Sequence, residues 1–94
     1  MSRSKIWLIT GASRGFGRIW AEAALARGDR VVVTARNQQA FEPLVEQYGE
    51  LVLPLRLDVA DKAAVDAAFA TANDHFGRID VVVNNAGVGM LGAI

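Results

Sequence analysis

The chain has 94 residues, of which 52% are hydrophobic and 21% charged, and its formal net charge is zero. This composition suits one packed domain and argues against disorder, and no basic field exists to attract nucleic acid or an anionic membrane. The absence of cysteine excludes disulfides and thiolate nucleophiles. The apolar run at residues 6–9 is too short for a signal-peptide core or a membrane span, so we expect a soluble, cytoplasmic protein.

Short apolar runs alternate with longer helical stretches along the chain. This alternation is typical of βαβ units in a parallel sheet. We expect strands at about 5–10, 30–35, 51–57 and 79–84, and helices at about 15–27, 39–48 and 62–75.

Glycine, proline and aspartate give the helix and strand boundaries. Gly28 suits the left-handed position after helix 1, and Asp61 suits the N-cap of helix 3. Pro43 is tolerated only in a first turn, so the regular part of helix 2 would begin near Phe41. Pro54 cannot donate to a ladder, which favours an edge position for strand 3.

The strand order follows from the handedness of the connections. Right-handed crossovers predict a doubly wound parallel α/β sheet with strand order 3-2-1-4. Ligands of such sheets bind at the carboxyl ends of the strands, where the chain reverses its direction across the sheet. The glycine turn after strand 1, Arg36, Asp58 and residues 84–87 all fall at that edge, which predicts a nucleotide site.

The turn between strand 1 and helix 1 contains Gly11, Gly15 and Gly17. Glycines here clear one side of a helix N-terminus, where free N–H groups, including that of Phe16, and the positive end of the helix dipole suit a pyrophosphate. The spacing is Gly-x-x-x-Gly-x-Gly rather than the standard dinucleotide fingerprint. On this pattern alone, a plain strand-to-helix turn remains an alternative.

The end of strand 2 bears on which dinucleotide would bind. An NAD site normally has a carboxylate there, about 20 residues after the glycines, but this chain has Ala35 followed by Arg36. A guanidinium binds the 2′-phosphate of NADP, which a carboxylate would repel, and Arg14 could reach the same phosphate. We therefore predict NADP or NADPH rather than NAD. Two solvated surface arginines are the alternative.

Three motifs occur in a specific order: Thr-Gly-Ala-Ser-Arg-Gly-Phe-Gly at 10–17, Leu-Asp-Val at 57–59 and Asn-Asn-Ala-Gly at 84–87. Together they resemble the short-chain dehydrogenase/reductase family, in the branch whose turn is Thr-Gly-x-x-x-Gly-x-Gly. The resemblance covers the whole chain. It implies a Rossmann-type fold and an NAD(P)-dependent oxidoreductase that transfers hydride between the cofactor and a small carbonyl or alcohol substrate.

The resemblance also implies binding roles for particular residues. Asn84 would mainly tie the central strands together. For Asp58, the alternative is an ordinary loop residue that starts the turn into helix 3. The implied contacts are Ser13, Arg14 and Arg36 with the 2′-phosphate, Asp58 and the main chain of Val59 with adenine, and Asn85, Ala86 and Gly87 with the adenine ribose.

The catalytic Tyr-x-x-x-Lys pair of the family lies after the Asn-Asn-Ala-Gly stretch. The only tyrosine, Tyr48, does not begin that motif, and the chain stops at Ile94. Residues 1–94 are thus interpreted as an NADP-binding domain that ends before the catalytic region, with no catalytic residue and no metal site. The chain is either the N-terminal part of an oxidoreductase, whose parent would be a homo-oligomer, or a non-catalytic nucleotide-binding or interaction module. Because residues 81–83 would form an open strand edge, we expect the fragment to self-associate.

Two tryptophans receive structural interpretations. Trp7 alternates with apolar strand neighbours and is assigned to the core. Trp20 is assigned to packing on the face of helix 1.

Overall fold

The computed structural model describes residues 4–11, 15–58 and 60–84. Strands and helices alternate through these ranges, and none of the helices there is long and apolar enough to cross a membrane. Two 3₁₀ turns, Gln38–Phe41 and Gly49–Leu51, flank the second helix. The regular elements are β1 (Ile6–Thr10), α1 (Gly15–Ala26), β2 (Arg30–Ala35), α2 (Glu42–Tyr48), β3 (Val52–Arg56), α3 (Lys62–Phe76) and β4 (Val81–Asn84).

The four strands form one parallel sheet in the order β3-β2-β1-β4, which confirms the predicted topology. β1 is central, and its Leu8 lies opposite Val32 of β2 and Val82 of β4. Pro54 lies in β3, which pairs with β2 and is at the edge of the sheet formed by the described strands. This confirms the predicted edge position of the strand that contains proline. A residue of an edge strand whose backbone nitrogen faces away from the sheet needs no N–H donor.

Side chains of β1 and β2 alternate between two cores on opposite faces of the sheet, as the twofold period of a strand requires. Val31, Val32 and Val33 are fully buried, because helices cover both faces of β2. Leu8, Val32 and Ala72 form the core on the α3 side. The core on the α1 and α2 side consists of Ile9, Ala21, Ala24, Leu25, Val31, Val33, Phe41, Leu44 and Val52.

The helix ends use the caps that the sequence predicts. After α1, Gly28 has a φ of 92° and its N–H donates to the Leu25 carbonyl at 3.0 Å, while the Asp29 N–H donates to the Ala24 carbonyl at 3.0 Å. These are the two hydrogen bonds of a Schellman motif. At the start of α3, the Asp61 carboxylate accepts a hydrogen bond from the Ala64 N–H at 3.2 Å, as an N-cap does.

The second helix is shorter than the predicted 39–48. Residues Gln38–Phe41 form a 3₁₀ turn and α2 begins at Glu42. Pro43 explains the difference, because its ring and missing N–H restrict it to the first turn of an α-helix.

The assignment of Trp20 to helix packing is wrong. Its exposed fraction is 44%, and that of Ile19 is 58%. The buried face of α1 is instead formed by Ala21, Ala24 and Leu25, whose spacing of three and four residues defines one helix face. Trp20 lies beside that face. It lines a groove of about 320 Å³ together with Trp7 and Val83.

Asp29 links the start of β1 to the end of α1. Its carboxylate accepts hydrogen bonds from the Lys5 N–H at 3.1 Å, Trp7 Nε1 at 2.9 Å and Arg27 Nη2 at 2.8 Å. Burial by itself raises the pKa of the Asp29 carboxyl, but these hydrogen bonds and the Arg27 charge outweigh it and hold the pKa below its usual range. Trp7, assigned to the core, is half-buried and packs at the margin of the core on the α1 side.

Asp80 supports β1 from the other side, just before β4. Its carboxylate accepts hydrogen bonds from the Ile6 N–H at 2.9 Å and from Arg78 Nε at 3.0 Å. The Arg78 guanidinium, followed by the Ile6 amide, lowers the pKa of the Asp80 carboxyl. Two carboxylates thus fix the amino end of β1, at the edge of the sheet opposite to the predicted nucleotide site.

Candidate functional site

The carboxyl ends of the strands bring three of the predicted site residues to one edge of the sheet. Thr10 lies opposite Asn84, and Ala35 lies opposite Arg56. Gly11 directly follows β1, Arg36 directly follows β2, and Asp58 lies two residues beyond β3. Since all four strands are parallel, the segments that carry these residues share the same edge.

The turn after β1 has the backbone conformation that glycine allows. Gly11 has a φ of 64°, a left-handed value that other residues rarely adopt. Its N–H donates to Thr34 Oγ1 of β2 at 3.3 Å. Thr34 is fully buried, so this hydrogen bond fixes the start of the turn against the neighbouring strand.

The helix that follows presents its N-terminus at this edge. α1 begins at Gly15, and its first turn contains no acidic residue. The first N–H groups of a helix lack partners within the helix, and the dipole gives that end partial positive charge. Gly17 is buried. This arrangement suits an anion at the helix N-terminus; Ser13 and Arg14, which belong to the same predicted site, lie outside the described residues.

Arg18 tethers the first turn of α1 to the segment after β2. Its Nε donates to the Glu22 carboxylate at 2.9 Å, and its Nη1 donates to the Ala40 carbonyl at 3.4 Å. These contacts hold the helix N-terminus next to the chain that leaves β2. The sequence does not indicate this role, because an arginine four residues before a glutamate predicts only a surface ion pair.

The segment that carries Arg36 is fixed to β3 through its backbone. Arg56 Nε donates to the Arg36 carbonyl at 3.2 Å, and Gln38 Nε2 donates to the Pro54 carbonyl at 3.1 Å. Asn37 Oδ1 accepts from the Gln39 N–H at 2.9 Å and caps the 3₁₀ turn. The side chain of Arg36 itself is exposed. A guanidinium on a fixed backbone at this edge can bind an anionic group.

Asp58 forms hydrogen bonds in the turn that leads into α3, which is the alternative to adenine binding for this residue. Its Oδ1 accepts from the Ala60 N–H at 3.0 Å, and its carbonyl accepts from the Asp61 N–H at 2.9 Å. A carboxylate has two oxygens with about four acceptor positions in all, so this turn leaves the side chain able to accept a further donor. Val59, Asn85, Ala86 and Gly87, the other predicted contacts of the adenosine, lie outside the described residues.

A depression at this edge combines groups of opposite charge. Its volume is about 370 Å³, within the range of small-molecule sites. A larger depression, of about 570 Å³, lies near the amino ends of β2 and β3 and includes His75; the topology favours the smaller one, because ligands of such sheets bind at the carboxyl ends. The smaller depression is lined by Arg36, Arg56, Leu57, Asp58, Asp61 and Ala64.

Neither a metal cluster nor the catalytic pair is found in the part of the chain that the structure describes. No group of three or more His, Cys, Asp or Glu side chains in these ranges could hold a metal ion. Tyr48 ends α2, and its hydroxyl accepts from Gln47 Nε2 at 3.3 Å. It lies at the far end of α2 from the Arg36 segment.

Comparison with known proteins places these observations in a family. The family model described as short chain dehydrogenase matches residues 5–94. The chain is 49% identical over 92 residues to an oxidoreductase, BOA17, of Botryotinia fuckeliana, covering 97% of this chain and 34% of the relative. It is 42% identical over 85 residues to a "probable NADP-dependent dehydrogenase" of Dichelobacter nodosus, covering 90% of this chain and 80% of the relative.

A solved structure agrees with the fold. The 3-ketoacyl-(acyl-carrier-protein) reductase of Brucella melitensis, complexed with NADH, superposes with a TM-score of 0.76 at 35% identity. The alignment covers 83% of this chain and 32% of that one. The chain thus spans about a third of the length of the Botryotinia and Brucella proteins. With a match to the family model over residues 5–94 and the strand order of a Rossmann-type sheet, this chain belongs to the short-chain dehydrogenase family.

Proposed function

We propose that the chain is the dinucleotide-binding part of an NADP-dependent oxidoreductase. The observation that carries the proposal is the convergence at one sheet edge of the left-handed Gly11 turn, the N-terminus of α1 and the exposed Arg36 guanidinium. A helix N-terminus suits the pyrophosphate, and a guanidinium suits a further phosphate on the adenosine. The nicotinamide of such a cofactor supplies or accepts hydride.

The preference for NADP rests on the residues that follow β2. The names of the relatives support a nicotinamide dinucleotide without selecting one, since one is called NADP-dependent and another was solved with NADH. In this chain Ala35 ends the strand and Arg36 follows it. The carboxylate that would accept from the ribose hydroxyls of NAD is therefore replaced by a cation that attracts the 2′-phosphate.

The remaining binding roles are proposed from the family motifs. The main chain around Gly11, Gly15, Phe16 and Gly17 would hold the pyrophosphate. The adenosine end would be held by Ser13, Arg14 and Arg36 at the 2′-phosphate, Asp58 and Val59 at adenine, and Asn85, Ala86 and Gly87 at the ribose.

For the whole enzyme, we propose the class of reaction. The enzyme would reduce a carbonyl or oxidise an alcohol, act on a small molecule in the cytoplasm and assemble as a homo-oligomer. The proton transfer would need a Tyr-x-x-x-Lys pair, and Tyr48 is followed by Gly49-Glu50-Leu51-Val52. The 94 residues are therefore proposed to bind the cofactor without turning it over.

Binding without turnover is the first prediction. In titrations of the 94-residue protein at low salt, NADPH should bind at least about tenfold more tightly than NADH. NADPH carries a 2′-phosphate, with about two negative charges, which the arginines can bind and which NADH lacks. Calorimetry or NADPH fluorescence measures both affinities. Absorbance at 340 nm should stay constant when a ketone or aldehyde is added. Equal affinities would contradict the NADP preference, no binding would contradict the proposed function, and NADPH oxidation would contradict inactivity.

The alternative function, a non-catalytic interaction module, is favoured by the apolar surface along β4. Val82 has an exposed fraction of 49%, and Trp20 lies 44% exposed on the other side of the sheet. Among the described strands, β4 pairs only with β1. Open strand edges and exposed apolar surface promote association between chains.

Self-association of the 94-residue protein is the second prediction. Sedimentation velocity should show a mass that increases with protein concentration. Val82→Lys should reduce the associated fraction several-fold, because an edge lysine opposes strand pairing. Val45→Lys is the matched control, since Val45 is an exposed valine on α2, away from β4. A monomer at all concentrations, or an equal effect of the two variants, would contradict association through β4.

A further inference from the structure

Arg56 is held at the predicted site by a contact that no motif indicates. It is the last residue of β3 and lies opposite Ala35. Its Nε donates to the carbonyl of Arg36 at 3.2 Å, and one residue later the Leu57 N–H donates to the Ala35 carbonyl at 2.9 Å. The Arg56 side chain is therefore directed across the end of β2, toward the residue that is proposed to select NADP.

Both guanidinium groups border the same depression. Arg36 and Arg56 line its 370 Å³ together with Asp58 and Asp61. The hydrogen bond to the Arg36 carbonyl uses Nε of Arg56, whereas the two terminal nitrogens of a guanidinium carry four further N–H donors. These donors remain available on a group whose position is already restricted.

The carboxylates of the depression are engaged in local structure. Asp58 accepts from the Ala60 N–H and Asp61 accepts from the Ala64 N–H. The ion pairs found among residues 4–11, 15–58 and 60–84 involve Arg18, Arg27 and Arg78. Neither arginine of the depression takes part in them. The depression also contains the Asp58 and Asp61 carboxylates, so an anion would be held by direct contacts with the two guanidinium groups rather than by a net positive field.

We propose that Arg56 is a specificity-determining residue for the cofactor, whose guanidinium binds the phosphate on the adenosine ribose together with Arg36. This proposal rests on the proposed NADP binding. A phosphate monoester carries a charge of about −1.5 to −2 at neutral pH and three acceptor oxygens, so it can accept hydrogen bonds from several guanidinium groups at once. Beside Arg14 and Arg36, the Arg56 guanidinium, fixed on the Arg36 carbonyl, would add donors and positive charge at the position where the 2′-phosphate distinguishes NADP from NAD.

Adenosine 2′,5′-bisphosphate and 5′-AMP are suitable probes, because they differ only in the 2′-phosphate. Their affinities for the 94-residue protein would be measured by calorimetry at low salt. Arg56→Gln should weaken binding of the bisphosphate about three- to tenfold and change 5′-AMP binding less than about twofold. Arg56→Lys, which keeps the charge, should restore part of the lost affinity. Melting curves of each variant verify that it is folded.

Arg30→Gln is the matched control. Arg30 is an exposed arginine at the first residue of β2, at the opposite edge of the sheet, and about 17 Å from the end of that strand by its length. This variant should leave the affinity ratio of the two probes unchanged.

Each outcome has a distinct meaning. If Arg56→Gln weakens both probes equally, Arg56 does not act at the 2′-phosphate and the proposal is overturned. An unchanged ratio in Arg56→Gln, when Arg36→Gln does reduce it, also overturns it. Equal binding of both probes to the unmodified protein removes the NADP preference and this proposal together, and no binding of either removes the proposed function as well.

Discussion

Arg36→Asp should lower the affinity for NADP by about a hundredfold or more and make NAD the preferred dinucleotide. The substitution removes a charge-assisted contact with the 2′-phosphate. It also places a carboxylate next to that phosphate, and like charges brought together in a binding site cost several kcal/mol. For NAD the same carboxylate is favourable, because it can accept hydrogen bonds from the ribose hydroxyls.

The exposed position of Arg36 makes this a test of binding rather than of folding. Its side chain is exposed, while its backbone is held through the Arg56 contact with its carbonyl. Surface substitutions usually change stability by less than about 0.5 kcal/mol. Calorimetric affinities for NADP and NAD measure the effect.

Arg36→Gln separates the two components of the expected change. It removes the positive charge without adding a negative one, so NADP should weaken by about tenfold and NAD should be nearly unaffected. If Arg36→Asp still bound NADP better than NAD, the 2′-phosphate would have to be recognised elsewhere at this edge, and the assignment of Arg36 would be wrong.

The sequence predicts the fold well where a local signal and the global topology agree. The β-branched run of β2 indicates burial on both faces, and Val31, Val32 and Val33 are fully buried. Gly28 marks the end of α1, where its φ of 92° requires a residue without a Cβ. Right-handed crossovers then give the strand order without any knowledge of side-chain contacts.

The sequence predicts the structure less accurately where tertiary packing decides which side chains are buried. The sequence cannot show that small residues, Ala21 and Ala24, form the buried face of α1 and leave Trp20 partly exposed. A tryptophan in an apolar helix is compatible with either position. For α2, Pro43 correctly indicated that the predicted helix could not be regular from its first residue, and the structure contains a 3₁₀ turn there.

The candidate site likewise has features that the sequence predicts and contacts that it does not. Topology is sufficient to bring Gly11, Arg36 and Asp58 to one sheet edge, because each follows a parallel strand. The contacts of Arg18 with Ala40 and of Arg56 with Arg36 were not predicted. Both are hydrogen bonds from arginine side chains to backbone carbonyls, and such contacts depend on the relative position of two elements rather than on residue spacing.

No sequence motif marks Asp29, yet its substitution should have a large effect on stability. Its exposed fraction is 4%, and its carboxylate accepts from the Lys5 N–H, Trp7 Nε1 and Arg27 Nη2. Asp29→Ala leaves the amide and the indole N–H without their acceptor, and each hydrogen bond to a charged group contributes about 1.5–3 kcal/mol. We expect the free energy of unfolding to fall by about 2–4 kcal/mol.

Urea unfolding followed by tryptophan fluorescence measures this change. Trp7 donates to Asp29, so its emission reports on the same contact. Asp66→Ala is the matched control, because Asp66 is an exposed aspartate in the middle of α3, and it should change stability by less than about 0.5 kcal/mol. If Asp29→Ala were as stable as this control, the hydrogen bonds to Asp29 would not stabilise the fold.

The same carboxylate makes stability depend on pH. The pKa of Asp29 is lower in the folded protein than its usual value because the hydrogen bonds and the Arg27 charge outweigh burial. The unfolded chain therefore binds a proton first as the pH falls. The contribution of the Asp29 carboxylate to stability is fully present above its pKa in the unfolded chain, about 3.9, and is lost as the pH falls through its pKa in the folded protein.

Asp29→Asn should consequently reduce this acid dependence. The amide does not titrate, so the free energy of unfolding of the variant should fall less steeply below about pH 4 than that of the unmodified protein. Asp80, whose pKa is lowered by the Arg78 guanidinium and the Ile6 amide, should account for part of the dependence that remains. Parallel pH profiles for the variant and the unmodified protein would show that the Asp29 carboxylate contributes no charge-dependent stability.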